Sequence, residues 1–391
     1  MIRRNLASTL RKLARLYPVV TITGPRQSGK TTLCQAVFPN KPYVSLEPAD
    51  VREHATLDPR GFLREHERGA VLDEVQHAPD LLGYLQAEVD ARPQPGRFVL
   101  TGSQHFTLSA KVSQSLAGRA AVLFLLPPSL DELRRFKRHP TTLLDTLWMG
   151  AFPRIHDRGI PAGRWLADYV TTYLERDVRQ VTNVGDLQAF HTFLRLCAGR
   201  TGQVLNLSSL GADCGITHNT ARAWLSVLET SFIVTRLPVW HRNLKKQMTK
   251  APKLHMLDTG LCCQLLGIRE PSELRHHPLR GALFESWVVT EALKARLHRG
   301  LTQDAFYFRD HKGLEIDLIV DSGAVTYLAE VKSGETVTTA FFEPLERVEQ
   351  LIVSGHVPTR IEKLLVYGGD AAQRRSNVRV VPWSKVDGVE W

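Results

Sequence analysis

Gly24-Pro25-Arg26-Gln27-Ser28-Gly29-Lys30-Thr31 decides how this chain is read. The stretch fits the phosphate-binding loop pattern GxxxxGK[ST], and its flanks fit as well. Val19 to Thr23 is a β-branched run that reads as a buried strand, and Lys30 to Val37 reads as a helix closed by Pro39. Glycines at 24 and 29 let backbone N–H groups curl around a phosphate chain, and a helix N-terminus adds the positive end of its dipole. Gly24, Pro25, Arg26, Gln27, Ser28, Gly29, Lys30, Thr31 and Thr32 are therefore the expected nucleotide contacts. Lys30 would reach the β- and γ-phosphates of ATP, and the Thr31 hydroxyl would sit on Mg²⁺.

Working outward, Leu6, Leu10, Leu13 and Leu16 recur at helical spacing and predict an amphipathic helix over 4–16. Tyr43 to Leu46 reads as a second strand and Pro59 to His66 as a short helix. Ala70-Val71-Leu72 leads into Asp73-Glu74, an apolar strand ending in two acids. Downstream of such a loop, Asp73 would hold Mg²⁺ through its water shell and Glu74 would activate the attacking water. A helix over 80–91 and a strand over 97–101 follow, the strand ending in Gly102-Ser103-Gln104. Ser103 and Gln104 are both candidates for sensing the γ-phosphate, with a plain polar turn as the alternative. Arg119 precedes the apolar strand 120–126; it reads equally as an arginine finger for a neighbouring subunit and as a solvated helix-end residue. Strands alternating with helices imply α/β architecture with a doubly wound parallel sheet and its ligand at the strand C-terminal ends.

The whole chain has 391 residues, enough for two to four domains. Its hydrophobic fraction of 43% and charged fraction of 23% are those of a globular protein. No apolar run is long enough for a membrane span and the N-terminus lacks an apolar signal core, so a cytoplasmic protein without membrane contact is expected. The five cysteines form no CxxC pair, which argues against a disulfide framework or a zinc site. A net charge of +10 favours a polyanionic partner, though weakly.

Pro127-Pro128 marks the edge of the first domain. Helices are expected over 131–138, 165–179 and 190–197, forming a helical lid or linker, with Arg154 and Arg176 more suited to ion pairs than to nucleotide. Leu207 to Ala212, a glycine turn, and a second helix capped at Thr217 and running to Leu228 make a helix-turn-helix pattern. Two strands, 232–239 and 253–257, then read as a hairpin wing. Between Glu229 and Asp258 there is no carboxylate but there are Arg236, Arg242, Lys245, Lys246, Lys250 and Lys253. A basic wing beside a helix bearing His218, Asn219 and Arg222 suits DNA phosphates; protein contact or plain solvation are the competing readings.

Gly281 to Leu297 is a periodic helix carrying Glu285. Strands follow over 306–309, over 314–320 with Asp317, and over 325–332 with Glu330 and Lys332. Helix Glu, strand Asp, strand Glu-x-Lys suits metal-dependent phosphodiester cleavage: Asp317 and Glu330 would bind Mg²⁺, Glu285 would complete or orient the site, and Lys332 would steady the attacking hydroxide or the pentavalent phosphate.

Taken together, Gly24 to Leu33, Leu72 to Gln76, Thr101 to Ser103, Ser115 to Arg119, Tyr173 to Asp177, Leu257 to Leu261, Phe284-Glu285, Glu315 to Asp317 and Glu330 to Lys332 resemble the AAA-type ATPases with a DUF4143 C-terminal region. The resemblance spans nearly the whole chain. It implies an AAA-type ATPase domain over 1–138, a helical lid or linker over 139–198, a winged helix over 199–272, and over 273–391 a restriction-endonuclease-like α/β domain similar to PD-(D/E)xK nucleases. Ile316 stands where that nuclease pattern has Pro. The expectation is an ATP-hydrolysing, DNA-binding homo-oligomer, possible as a ring, that remodels or translocates DNA or processes junctions, with a C-terminal nuclease-like domain that either cuts DNA with a metal or serves as an inactive binding module. The rival expectation is a nucleotide-dependent switch or scaffold that regulates a defence or toxin system through protein partners.

Overall fold

The computed structural model describes residues 2–103, 115–174, 187–240, 251–354, 360–375 and 377–391. The chain divides into two compact units. The first comprises residues 1–128 with 230–232 and 297–301; the second comprises 129–229, 233–296 and 302–391.

The first unit is built on strands β1 (Val19–Thr23), β2 (Tyr43–Ser45), β3 (Val71–Asp73), β4 (Phe98–Gly102) and β5 (Ala120–Phe124). They form a five-stranded sheet in the order β2-β3-β4-β1-β5, every pairing parallel. β1, β3 and β4 are buried along their whole length, as continuous apolar strands covered on both faces must be. Alternate residues supply the two faces. Val20, Ile22, Val71 and Val99 pack with Leu6, Leu10, Leu33 and Cys34, while Val19, Leu72, Phe98 and Leu100 pack with Phe62, Leu82, Leu85 and Val89. The first helix is shorter than its leucine spacing suggests, Leu6–Leu13, and Leu16 is 62% exposed. Pro18 disfavours helical geometry at the residue before it, so the chain leaves the helix early to enter β1. The helix Ala49–Leu57 is not announced by the sequence.

In the second unit, Ser129 and Glu132 form a capping box on the helix Leu130–Leu133. Helices Leu143–Met149, Pro153–Arg158 and Ala162–Tyr169 follow, the last continuing as a wider π-turn through Val170–Leu174. Pro161 sets the start of that helix, a few residues earlier than periodicity indicates. Leu187–Gly199, Leu207–Asp213 and His218–Thr230 are helical, and the last two enclose the predicted glycine turn. Asn206 caps the first of this pair and Thr217 the second, each accepting a backbone N–H. β6 (Gln203–Val204), β7 (Val234–Leu237) and β8 (Lys253–Met256) form an antiparallel sheet in the order β6-β8-β7.

The helix Thr259–Leu266 leads to the long helix Arg280–His298, whose middle is buried all round. It packs in a unit with β9 (Ala305–Arg309), β10 (Glu315–Asp321), β11 (Val325–Lys332), β12 (Arg360–Tyr367), β13 (Gln373–Arg375) and β14 (Val378–Pro382). Their order is β13-β14-β12-β11-β10-β9, antiparallel from β9 to β11, parallel from β11 through β12 to β14, and antiparallel again at β13. The helix Glu343–Ser354 provides the crossover between the parallel neighbours β11 and β12. A single parallel bridge, Val239 to Tyr307, connects the small sheet's β7 side to β9.

Candidate functional site

The loop 24–29 turns between β1 and the helix Lys30–Val37, and its shape depends on the residues present. A Cβ at Gly24 would stand 2.1 Å from the Leu125 carbonyl oxygen, so no larger residue fits there. Gln27 (φ 63°) and Gly29 (φ 93°) are both left-handed, which turns successive N–H groups toward one concavity. Arg4 supports the loop from below: its guanidinium donates to the Ser28 carbonyl at 2.7 Å and to the Leu126 carbonyl at 2.8 Å. Lys30 is buried, and its ammonium donates to the carbonyls of Gly24 (3.0 Å) and Pro25 (2.9 Å). Burial lowers its pKa, and the charges of Glu74 and Asp73 only partly offset that. Thr32 is exposed on the same helix.

Asp73 ends β3 inside a set of hydroxyls. Thr31 donates to its Oδ2 at 3.0 Å, Tyr43 donates to the same oxygen, and Thr101 donates to Oδ1. Glu74 follows in the left-handed region, φ 57°, which swings its carboxylate out of the strand direction. Ser103 donates to Glu74 Oε2 at 3.1 Å, and Gln76 Nε2 donates to the same oxygen and lies 3.3 Å from Ser103 Oγ. Burial would raise the Glu74 carboxyl, but the charges of Lys30 and Arg26 and the bonds from Gln76 and Ser103 outweigh it and hold the group below its usual value. Glu74 is therefore an anion at neutral pH, the form a water-activating base needs. The paired oxygens of Thr31 and Asp73 are hard donors of the kind Mg²⁺ takes, so these residues fit that ion.

The sequence places Lys30, Thr31, Asp73, Glu74 and Ser103 at strand C-terminal ends, and the structure brings them together there. Arg4, Tyr43, Gln76 and Thr101 join them unforeseen. Thr101 was within reach of sequence reasoning, as a polar residue ending an otherwise apolar strand. Gln104 lies outside the described residues. Arg119 stands elsewhere: Ala120 pairs with Val19, so Arg119 is at the N-terminal edge of a sheet whose loop lies at the other edge. β5 alone spans roughly 16 Å. Arg119 forms an exposed two-pronged ion pair with Asp90, at 2.5 and 2.8 Å, and cannot reach the loop of its own chain.

In the second unit, His218, Asn219 and Arg222 are exposed on the second helix of the helix-turn-helix. Arg242, Lys245, Lys246 and Lys250 lie outside the described residues, as does Arg176; Arg154 is on the helix Pro153–Arg158. Lys253, expected with the basic stretch, is instead 2% exposed. All of β8 is buried. Its ammonium lies 2.7 Å from Glu285 Oε1, 2.5 Å from Glu315 Oε1 and 3.7 Å from Asp317 Oδ1. Asp317 Oδ2 accepts the Val331 N–H at 2.9 Å, and Lys332 pairs with Glu330 at 2.5 Å while lying 4.0 Å from Asp317. Glu285, Asp317, Glu330 and Lys332 thus converge as their elements predict, but with a lysine among them. Burial and the charge of Asp317 push Glu285 up, against the opposing pull of Lys253; burial and Asp317 raise Glu330 as well. Among the described residues no group of three or more His, Cys, Asp or Glu side chains is arranged to hold a metal ion. The cluster in this arrangement does not fit a divalent ion.

Three family models match the chain in succession: an AAA domain over 16–134, a domain of unknown function (DUF8612) over 141–272, and a domain of unknown function (DUF4143) over 280–386. An uncharacterized protein of Mycobacterium tuberculosis and one of Mycobacterium bovis are each 32% identical over 340 residues, covering 85% of this chain and 74% of theirs. The chain belongs to the P-loop ATPase family that joins an AAA domain to a DUF4143 domain. In this AAA–DUF4143 protein the DUF8612 match treats the expected linker and helix-turn-helix as one region. Among solved structures, the Walker-type ATPase of Pyrococcus abyssi is 15% identical, with 67% of this chain and 95% of that one covered and a TM-score of 0.48. RuvB of Thermotoga maritima is 19% identical, with 61% and 90% covered and a TM-score of 0.32. The P-loop ATPase fold supports nucleotide hydrolysis. Among the described residues no helix is long and apolar enough to cross a membrane.

Proposed function

We propose that the chain is an ATPase whose turnover is coupled to DNA and completed by a second subunit. The convergence of Lys30, Thr31, Asp73, Glu74 and Ser103 at one edge of the parallel sheet carries this reading. Phosphates entering the loop offer Lys30 stronger partners than the two carbonyls it now holds. Bound Mg²⁺ would neutralise charge on the β- and γ-phosphates. Thr31 and Asp73 would hold that ion, Glu74 would take the proton of the attacking water, and Ser103 with Gln76 would fix the Glu74 carboxylate. Arg119 is directed away from its own loop, which supports a role toward a neighbour's γ-phosphate in a homo-oligomer.

DNA enters the proposal through the helix-turn-helix. The exposed trio on its second helix and the basic sequence that follows suit a phosphate backbone. Remodelling, translocation or junction processing are the forms this coupling would take. ATP turnover measured with and without duplex, single-stranded and four-way-junction DNA tests it. Stimulation that disappears in Lys30→Ala and weakens in Arg222→Ala is expected. Slow turnover indifferent to every DNA would overturn the DNA coupling in favour of a nucleotide switch acting through protein partners.

A further inference from the structure

We propose that Lys253 is the resident cation of the Glu285–Glu315–Asp317 cluster, and that the cluster is a permanent salt-linked joint that refuses divalent metal. Two observations and a coordination constraint carry it. The ammonium is within hydrogen-bond distance of two carboxylates and 3.7 Å from a third, so it lies among the oxygens that a metal would have to share. A divalent ion needs oxygens at roughly 2.0–2.6 Å from its centre and cannot share that space with a nitrogen. The Tyr307 ring, 5.4 Å from the same nitrogen, offers its π-face to the charge.

The remaining oxygens are largely committed as well. Asp317 Oδ2 takes the Val331 N–H and Glu330 Oε1 takes Lys332. Glu330 Oε2 is buried without a hydrogen-bond partner, but one oxygen does not make a metal site.

The lysine is also fixed in place. β8 is the central strand of its sheet, and Lys253 is paired to Val204 on one side and Leu237 on the other. The two ladders hold its backbone, and the carboxyl groups around it hold its ammonium. The small sheet and the long helix are thereby pinned to β10 by charge. This domain then contributes binding surface and rigidity, and DNA cleavage is not its chemistry.

Mn²⁺ binding to the full chain without nucleotide tests the proposal and is independent of the ATPase reading. The free-ion signal in electron paramagnetic resonance would be followed for wild type, Asp317→Asn, Lys253→Met and Lys253→Met/Asp317→Asn. Wild type and Asp317→Asn should bind Mn²⁺ alike, whereas Lys253→Met should gain a site at least tenfold tighter than any in wild type, absent from the double variant. A wild-type site that disappears in Asp317→Asn would overturn the proposal, because it would mean that metal displaces the lysine. A folded Lys253→Met that gains nothing would also overturn it, since the lysine would not then be holding a metal's place. Should Lys253→Met not fold, the comparison of wild type with Asp317→Asn decides alone.

Discussion

Both units contain a buried lysine set among carboxylates, and the two lysines are held in opposite ways. Lys30 donates to two backbone carbonyls at the mouth of a loop, and Asp73 beside it is held by the hydroxyls of Thr31, Tyr43 and Thr101. Those are neutral partners, and a phosphate or a metal ion outbids them. Lys253 lies between the carboxyl groups of Glu285 and Glu315 and is anchored in a central strand, so its partners are stronger than backbone carbonyls. The contrast teaches that a charged cluster can receive a ligand only where its present bonds are weaker than the ones on offer. A list of acidic and basic residues does not reveal which case applies.

The largest break in this comparison should come from the open site. Lys30→Ala should abolish nucleotide binding, and Glu74→Gln should keep binding while lowering ATP turnover about 10²–10³-fold, in line with loss of a positioned catalytic group. Equal nucleotide affinity in Lys30→Ala and wild type, measured by titration calorimetry, would remove the loop from the mechanism. At the closed site, Lys253→Met leaves the carboxyl groups of Glu285, Glu315 and Asp317 without their cation and should cost about 3–5 kcal/mol of folding stability. Urea unfolding measures this, and a cost near zero would mean that the cluster is not sealed.

The closed site also predicts a pH dependence. Glu285 is raised to about 8 in the folded chain, so between its ordinary value and about 8 the folded state holds more protons than the unfolded one. Its contribution is present at low pH and is lost as pH rises through that window; Glu285→Gln should flatten this part of the profile of urea midpoint against pH. Arg119→Ala should lower turnover while leaving nucleotide affinity intact, and mixing it with Glu74→Gln chains should restore activity if the two residues meet across subunits. Gln76→Ala should have the smallest effect, a few-fold loss of turnover with unchanged affinity, because Ser103 still holds Glu74.

The open site was legible because its grammar is local. Strand, loop and helix follow one another in thirty residues' reach, and Asp73-Glu74 ends a strand that apolar residues announce. β1 and the helix Lys30–Val37 fall where the sequence puts them, and β11 does as well. The closed site was half legible. Glu285, Asp317, Glu330 and Lys332 could be assigned to elements, but Lys253 reads as one more base in a basic stretch. Only the pairing of β8 with two neighbours, a long-range event, buries it. The helices Leu143–Met149 and Pro153–Arg158 were missed because each is too short for periodicity to stand out.

The left-handed backbone at Glu74 has a further consequence in evolutionary terms. A side chain there costs about 1–3 kcal/mol that glycine would not incur. In the proposed mechanism, where Glu74 activates water, selection for hydrolysis would hold it against that gradient. A lineage released from the need to turn over ATP would gain stability by drifting to glycine at this position, even while keeping its phosphate loop. Residue 74 is therefore the place in a descendant sequence where a retired ATPase would first show its retirement.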